Sequence, residues 1–419
     1  MEKSLRSIFL VILIAISAQA TVTNSLERNQ IWRVNAATDD QLQDLKDLQN
    51  TKTVEMWRYP QKVNEPILIH VPSEHIKFSE NYLSDANITY KVTVENLDDV
   101  INQQKFRSKR AITNLDEFDY TVYHRLEEIQ EWMNLMTDRF PFVSQQQIGL
   151  SYEGRPLNML KIQKPSSGAP KPIIWIDALI HSGEWVTSAS LMFIWKEILT
   201  KPQYSWIIDS LDWYIMPVLN VDGYVYSWTF NRFWRKTRSI TGTSFCQGVD
   251  GNRNWDSHWS EASSPNTCSS TYHAAFAGSE SEIRHLMRFI TEQKEGIKAF
   301  ITLHSYSQLI LYPYCYARNT YTPDHDEQHQ LAVNMSKAMY EVHQTVYTPA
   351  QGAKGLNYLW SGCTIDWIYD KANITLTYTI ELRDKGTYGF MLPPEQIVPT
   401  GEELLAGIEV LATHVLNKH

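Results

Sequence analysis

Pro172-Ile173-Ile174-Trp175-Ile176-Asp177-Ala178-Leu179 is an almost unbroken apolar run, and His181-Ser182-Gly183-Glu184 follows one residue later. Such a run reads as a strand buried on both faces, the habit of parallel sheets sandwiched between helices. Residues 211–219 have the same character, and 297–303 and 376–382 read as further strands. Between and around them, 187–199, 280–293, 328–346 and 401–416 read as helices. Residues 120–136 place Tyr123, Leu126, Ile129, Met133 and Met136 on one helical face. Alternating strands and helices imply an α/β fold: a mixed, mostly parallel twisted sheet with helices on both faces.

In open α/β sheets, ligands bind beyond the carboxyl ends of the strands. Those ends carry His181 and Glu184 after the first run, Asn220-Val221-Asp222-Gly223 after the second, His304-Ser305-Tyr306 after the third, and Glu381-Leu382-Arg383-Asp384 after the last. Two histidines and two glutamates therefore converge where this fold class places its site. His-x-x-Glu alone carries little weight, because His124/Glu127 and His258/Glu261 also fit it. Those two pairs read as exposed side chains. His181/Glu184 differs in being fed by a buried strand.

The set suits one zinc ion per chain. A catalytic zinc takes three protein ligands, commonly two His and a carboxylate, and keeps a fourth position for water. It lowers that water's pKa and polarises a carbonyl. Glu381 is then a spare carboxylate, placed to act as general base. Cations follow for an anionic group of the substrate. Residues 232–238 hold four positive charges, and Asn252 and Arg253 lie in Asp250-Gly251-Asn252-Arg253-Asn254-Trp255. A guanidinium grips a carboxylate through two parallel hydrogen bonds, as recognition of a free C-terminus requires.

The rest of the chain frames this domain. Of 419 residues, 43% are hydrophobic and 20% charged, a globular composition rather than a disordered one. A net charge of −9 argues against nucleic acid as a partner. Residues 1–20 read as a signal peptide: Lys3 and Arg6 precede the apolar run 8–16, and Ala18-Gln19-Ala20 is a cleavage site. That run is too short to span a bilayer, so the expected product is secreted, with no membrane association, in a compartment where its four cysteines can pair. Residues 21–110 read as a small domain of order β-α-β-β-α-β, the ferredoxin-like arrangement. Arg107-Ser108-Lys109-Arg110 then reads as a joint cut by an activating endoprotease, leaving a mature chain from Ala111 to His419.

Several long stretches resemble the pancreatic-type zinc carboxypeptidases, the A/B group. They are His181-Ser182-Gly183-Glu184-Trp185-Val186-Thr187, Asn231-Arg232-Phe233-Trp234-Arg235-Lys236-Thr237-Arg238-Ser239, Asp250-Gly251-Asn252-Arg253-Asn254-Trp255, His304-Ser305-Tyr306-Ser307-Gln308 and Thr379-Ile380-Glu381-Leu382-Arg383-Asp384. Their order and spacing agree along nearly all of 111–419, and the small domain in front resembles that family's activation segment. The resemblance implies a carboxypeptidase A-like fold and a monomer acting on peptide and protein C-termini. It implies His181, Glu184 and His304 as zinc ligands and Glu381 as the base. Arg238 would stabilise the oxyanion, with Arg235 as an accessory cation. Asn252 and Arg253 would hold the terminal carboxylate, Tyr358 would cap the substrate, and Asp250 would orient the first zinc histidine.

Cys246 and Cys268 match the family's usual disulfide. Cys315 and Cys363 depart from the family's small residues, and a second disulfide between them is the expectation. Gly183 departs too, standing where the family has an arginine for more distant parts of the substrate. Members that take Lys or Arg have an acid where this chain has Ile365. An apolar pocket floor leaves a buried cation unpaired, so the expected preference is for apolar or aromatic C-terminal residues. Two other readings remain: a catalytically inactive binding protein on the same scaffold, and a regulatory processing enzyme of different preference. A peptidase acting at N-termini would need an anion for the substrate ammonium, which the arginines do not supply.

Overall fold

The computed structural model describes residues 28–57, 62–105, 114–166, 168, 170–242 and 245–419. The signal peptide and the basic joint at 107–110 lie outside the described residues. The chain divides into two units, after Asp98.

In the first unit, β1 (Gln30–Asn35), β2 (Glu55–Met56), β3 (Ile67–Val71) and β4 (Thr89–Val94) form an antiparallel sheet in the order β2-β3-β1-β4. Helices Asp39–Asn50 and Ile76–Asp85 complete the β-α-β-β-α-β order. Leu42, Leu45 and Leu48, at helical spacing, join Trp32, Val34, Ile67, Ile69 and Val71 in one buried core. Thr38 accepts from the Gln41 amide and starts the first helix.

In the second unit an eight-stranded mixed sheet runs β11-β10-β12-β9-β7-β8-β6-β5. Its strands are β5 (Val143–Leu150), β6 (Pro156–Ile162), β7 (Ile173–Asp177), β8 (Asp212–Met216), β9 (Ile297–His304), β10 (Leu309–Tyr312), β11 (Thr348–Gln351) and β12 (Leu376–Glu381). The central four, β12-β9-β7-β8, are parallel, and every residue of β7 is buried. Helices cover both faces. Helix Val186–Thr200 packs on helix Ile397–Lys418, where Gly401 admits the Phe193 ring: a Cβ there would stand 2.4 Å from it.

Differences from the sequence reading have local causes. The helix expected from 120 starts at Leu126, because Glu128 turns back to accept from the Arg125 amide. Strands β5, β6, β10 and β11 escaped the reading. Val143-Ser144-Gln145-Gln146-Gln147-Ile148 has too few apolar residues for a clear period, as suits an edge strand.

Asp177 closes β7 in full burial, accepting from Trp175 Nε1 at 2.7 Å and Thr302 Oγ1 at 2.8 Å. Burial pushes its carboxyl up to about 7, against the opposing pull of those two donors. The unfolded chain releases this proton near pH 4. Between about pH 4 and 7 the folded state thus holds a proton the unfolded state lacks, so stability falls as pH rises, on the order of 1 kcal/mol per unit. Asp177→Asn removes that slope. The variant's urea midpoint relative to the parent is expected to climb from pH 5 to 7.5. Parallel pH profiles for the two proteins would show that Asp177 is ionised in the fold.

Candidate active site

β8 follows β7 in the chain and pairs on one side of it, while β9 pairs on the other. Neighbouring connections therefore diverge at the carboxyl ends of β7 and β9, which opens a crevice there. His181 and Glu184 leave the end of β7. His304 ends β9, and Glu381, ending β12, stands in direct register beside it. The loop of 231–238 is fastened over the first pair: Ser182 Oγ donates to the Trp234 carbonyl at 2.6 Å and Arg232 Nη1 to the Gly183 carbonyl at 2.6 Å.

His181 Nδ1 lies 2.8 Å from Glu184 Oε1 and 3.1 Å from His304 Nδ1, and His304 Nδ1 lies 3.3 Å from Glu184 Oε2. All three side chains are buried. Metal–ligand bonds of about 2.0–2.2 Å in a tetrahedron put donor atoms about 3.2–3.6 Å apart. The three donors are close to that spacing without rearrangement, and two imidazoles with a carboxylate are the donor set zinc prefers. Burial alone would raise the Glu184 carboxyl, but His181 and His304 outweigh it and hold the group below its usual range. Burial lowers His304, which keeps its ring neutral and able to ligate.

Asp250 is the hub of the cleft. Its Oδ1 meets His181 Nε2 at 3.0 Å and accepts from the Asn252 amide at 2.9 Å. Its Oδ2 accepts from Arg235 Nε and Nη2 at 3.1 and 2.9 Å and lies 3.9 Å from Arg253 Nη1. Burial works against its charge, yet Arg235, Arg253 and His181 together hold its carboxyl well below the usual range. Sequence reading had connected Asp250 with the histidine alone. A hydrogen bond to the far ring nitrogen fixes the tautomer that leaves Nδ1 free to ligate.

The cations separate. Arg235 Nη1 reaches within 3.7 Å of Glu184 Oε1. Arg238, read as the oxyanion group, stacks instead on Tyr226 and Trp234, donates to Gln247 and faces Glu153. Its guanidinium is committed to that aromatic pair, so Arg235 is the arginine brought to the histidine–glutamate cluster. Arg232 is buried against Trp185, its ring centroid 3.7 Å away, and bonds main-chain carbonyls.

Asn252 Oδ1 accepts from both Thr364 N and Thr364 Oγ1, at 2.9 and 3.0 Å, and the Arg253 guanidinium lies 5.0 Å from the Trp360 ring centroid. Gly362 is held at φ +66°, and a Cβ there would stand 2.5 Å from the Arg253 carbonyl, so glycine is required. Thr364 and Trp360 were not singled out as orienting groups, since more than 100 residues separate them from the pair they hold. Ile365 is fully buried among Leu311, Cys315, Leu356, Trp360 and Cys363, with Tyr358 packed at the edge.

Cys246 and Cys268 form a disulfide, with Cα atoms 5.0 Å apart. Cys315 and Cys363 do not: both are buried free thiols. The Cys315 amide is held by Asp366 and its carbonyl by the Trp360 amide, which fixes its backbone without a bridge. His124, read as exposed, is buried, its Nε2 2.7 Å from the Asp119 carbonyl and its ring stacked on Phe118. His258 meets Glu261 at 3.1 Å and stacks on Tyr316.

A buried His-Glu-His set at the strand ends, with an Asn-Arg pair joined to it through one aspartate, defines a metallohydrolase that can grip an anion. Comparison with known proteins narrows the class. The zinc carboxypeptidase family matches residues 129–407, and the carboxypeptidase activation peptide matches residues 32–104. The chain belongs to the zinc carboxypeptidase family and carries that family's activation peptide, as a zymogen of the pancreatic type. It is 39% identical to carboxypeptidase A1 of Homo sapiens over 402 residues, 93% of this chain and 94% of that one. Against carboxypeptidase A1 of Bos taurus the identity is 37% over 400 residues, again 93% and 94% of the two chains. Among solved structures, thrombin activatable fibrinolysis inhibitor superposes with a TM-score of 0.88 at 35% identity, covering 94% of this chain and all, 100%, of the other. Carboxypeptidase A from Helicoverpa armigera gives 0.81 at 27% identity, covering 93% and 98%. No helix among the described residues is long and apolar enough to cross a membrane.

Proposed function

We propose that the mature chain removes apolar or aromatic residues from peptide C-termini, and that Ile365 sets this preference. The observation that supports it is the packing of Ile365 with Leu311, Leu356, Trp360 and the thiols Cys315 and Cys363, in a cluster that also touches Tyr358 and, among the described residues, contains no cation or acid opposite Ile365 that would pair a basic side chain from that position. Asn252 and Arg253, oriented by Thr364 and Asp250, hold the terminal carboxylate, which directs the last side chain towards that cluster. His181, Glu184 and His304 hold one zinc ion. Zinc bound there supplies a Lewis acid and a water acidified towards neutral pH.

Glu381 takes the proton of the attacking water and returns it to the leaving amine. Arg235, in place of Arg238, stabilises the charge that develops on the scissile carbonyl oxygen. Tyr358 covers the bound residue. We further infer export after loss of residues 1–20, activation by an endoprotease at Arg110, and a monomeric mature enzyme. The activation peptide and the basic run of 107–110 support the processing step.

A second reading, a regulatory processing enzyme, draws on the likeness to thrombin activatable fibrinolysis inhibitor. Peptides differing only in their last residue separate the two. Leu, Ile, Val or Phe is expected to leave at least roughly a hundredfold faster, by kcat/KM, than Lys, Arg or Glu, because an unpaired buried charge costs several kcal/mol. Preferential release of Lys or Arg would overturn the assigned pocket.

A further inference from the structure

Cys315, Cys363 and Asp366 form a second compact donor cluster. Their sulfur and carboxylate atoms all lie within 4.8 Å of one another, and all three side chains are fully buried. Among the described residues, only this cluster and the His181–Glu184–His304 set gather three such donors so closely. Cys315 follows β10, Cys363 caps the helix Thr364–Asp370, and Asp366 lies in that helix's first turn. Asp366 accepts from the Cys315 amide at 3.0 and 3.1 Å and the Tyr316 amide at 3.3 Å. A carboxylate has about four lone-pair positions, so it retains capacity for a ligand bond.

We propose that Cys315, Cys363 and Asp366 are a second metal site, taking one thiophilic dication of the zinc or cadmium class. Tetrahedral zinc, with bonds of about 2.3 Å to sulfur and 2.0–2.2 Å to oxygen, spaces its donors about 3.4–3.8 Å apart. From separations of at most 4.8 Å, the cluster needs to contract by no more than about 1.0–1.4 Å. Binding displaces the two thiol protons to solvent, and a carboxyl proton when Asp366 carries one. Because those protons must leave, affinity rises with pH. Two thiolates, a carboxylate and a dication leave one net negative charge, which the nearby Arg253 offsets. Soft sulfur donors select this class of ion over magnesium or calcium.

The site bears on substrate binding. Thr364, next to Cys363, holds Asn252, and Trp360, whose main-chain amide donates to the Cys315 carbonyl, presents its ring to the Arg253 guanidinium. Occupancy pulls both supports inward and raises KM. That consequence rests on the proposed roles of Asn252 and Arg253; the metal site itself does not.

Cadmium(II) tests the site on the full-length precursor already loaded with zinc. The chain has four cysteines and Cys246 and Cys268 are bonded to each other, so a thiolate-to-cadmium absorption band has only Cys315 and Cys363 as its source. The expected result is one extra cadmium per chain, a band with the intensity of two thiolates, and tighter binding at pH 8 than at pH 6. Cys315→Ser and Cys363→Ser each lose the extra ion, while His181→Ala keeps it. The wild-type band decides the matter even if a serine variant fails to fold. No band, a one-thiolate band, or a chain whose denatured form has no titratable thiol overturns the site. On the activated enzyme, KM for a C-terminal Leu peptide is expected to rise at least tenfold with kcat less affected. A two-thiolate band with KM unchanged leaves the site standing and refutes its coupling to Asn252 and Arg253.

Discussion

Glu381→Gln is expected to lower kcat by about 10²–10⁴-fold, the range that a positioned general base contributes. Glu381 is the carboxylate at the end of β12, in register with His304 at the end of β9. His181, Glu184 and His304 contact one another, and Glu381 stands beside His304 in the sheet register without being a member of that trio. Glutamine keeps the shape and removes the proton acceptor. KM should change little, because Asn252 and Arg253, proposed to hold the terminal carboxylate, are untouched. Bound zinc, measured directly on the purified variant, should stay at one per chain. A variant that keeps more than a tenth of the parent's kcat would falsify the assignment.

Arg235→Ala and Arg238→Ala are expected to behave very differently. Removing Arg235 takes away the guanidinium beside Glu184 and two hydrogen bonds to Asp250. Loss of an oxyanion donor typically costs about 10²–10³-fold in kcat. Asp250 is fully buried, so losing one charged partner also weakens the fold, by up to roughly 3–5 kcal/mol. Arg235→Lys restores part of the charge but not the two-pronged grip, and should recover stability more than kcat. Arg238→Ala breaks a stack on Tyr226 and Trp234 and a bond to Gln247. Its expected effect is on thermal stability, with kcat within about tenfold of the parent, as for a residue that contributes packing. If Arg238→Ala proves the more damaging to kcat at unchanged stability, the roles revert to those read from the sequence.

Strand and helix periods have fixed geometry, so 172–179 announced a buried strand and its end announced a site. The segment of 231–238 has neither period. Four cations three or fewer residues apart can then point anywhere, and only the packing of Trp234 and Tyr226 shows that Arg238 turns away. His124 is a similar case. Its helical neighbours suggested exposure, but the helix begins after it and the preceding turn folds back to take its ring.

By itself, then, the sequence determined the class of fold, the element order of the small leading domain, and the strand ends that bring His181, Glu184 and His304 together with Glu381 beside them. Each of these sits at the end of, or just beyond, an element whose direction its own residues dictate. The tertiary structure alone decided which arginine faces His181, Glu184 and His304, that Asp250 joins that trio to Asn252 and Arg253, and that Cys315 and Cys363 remain thiols beside Asp366. These are contacts between segments far apart in the chain. Their geometry is set by how separate loops pack beyond the carboxyl ends of the central strands, and no local period encodes it.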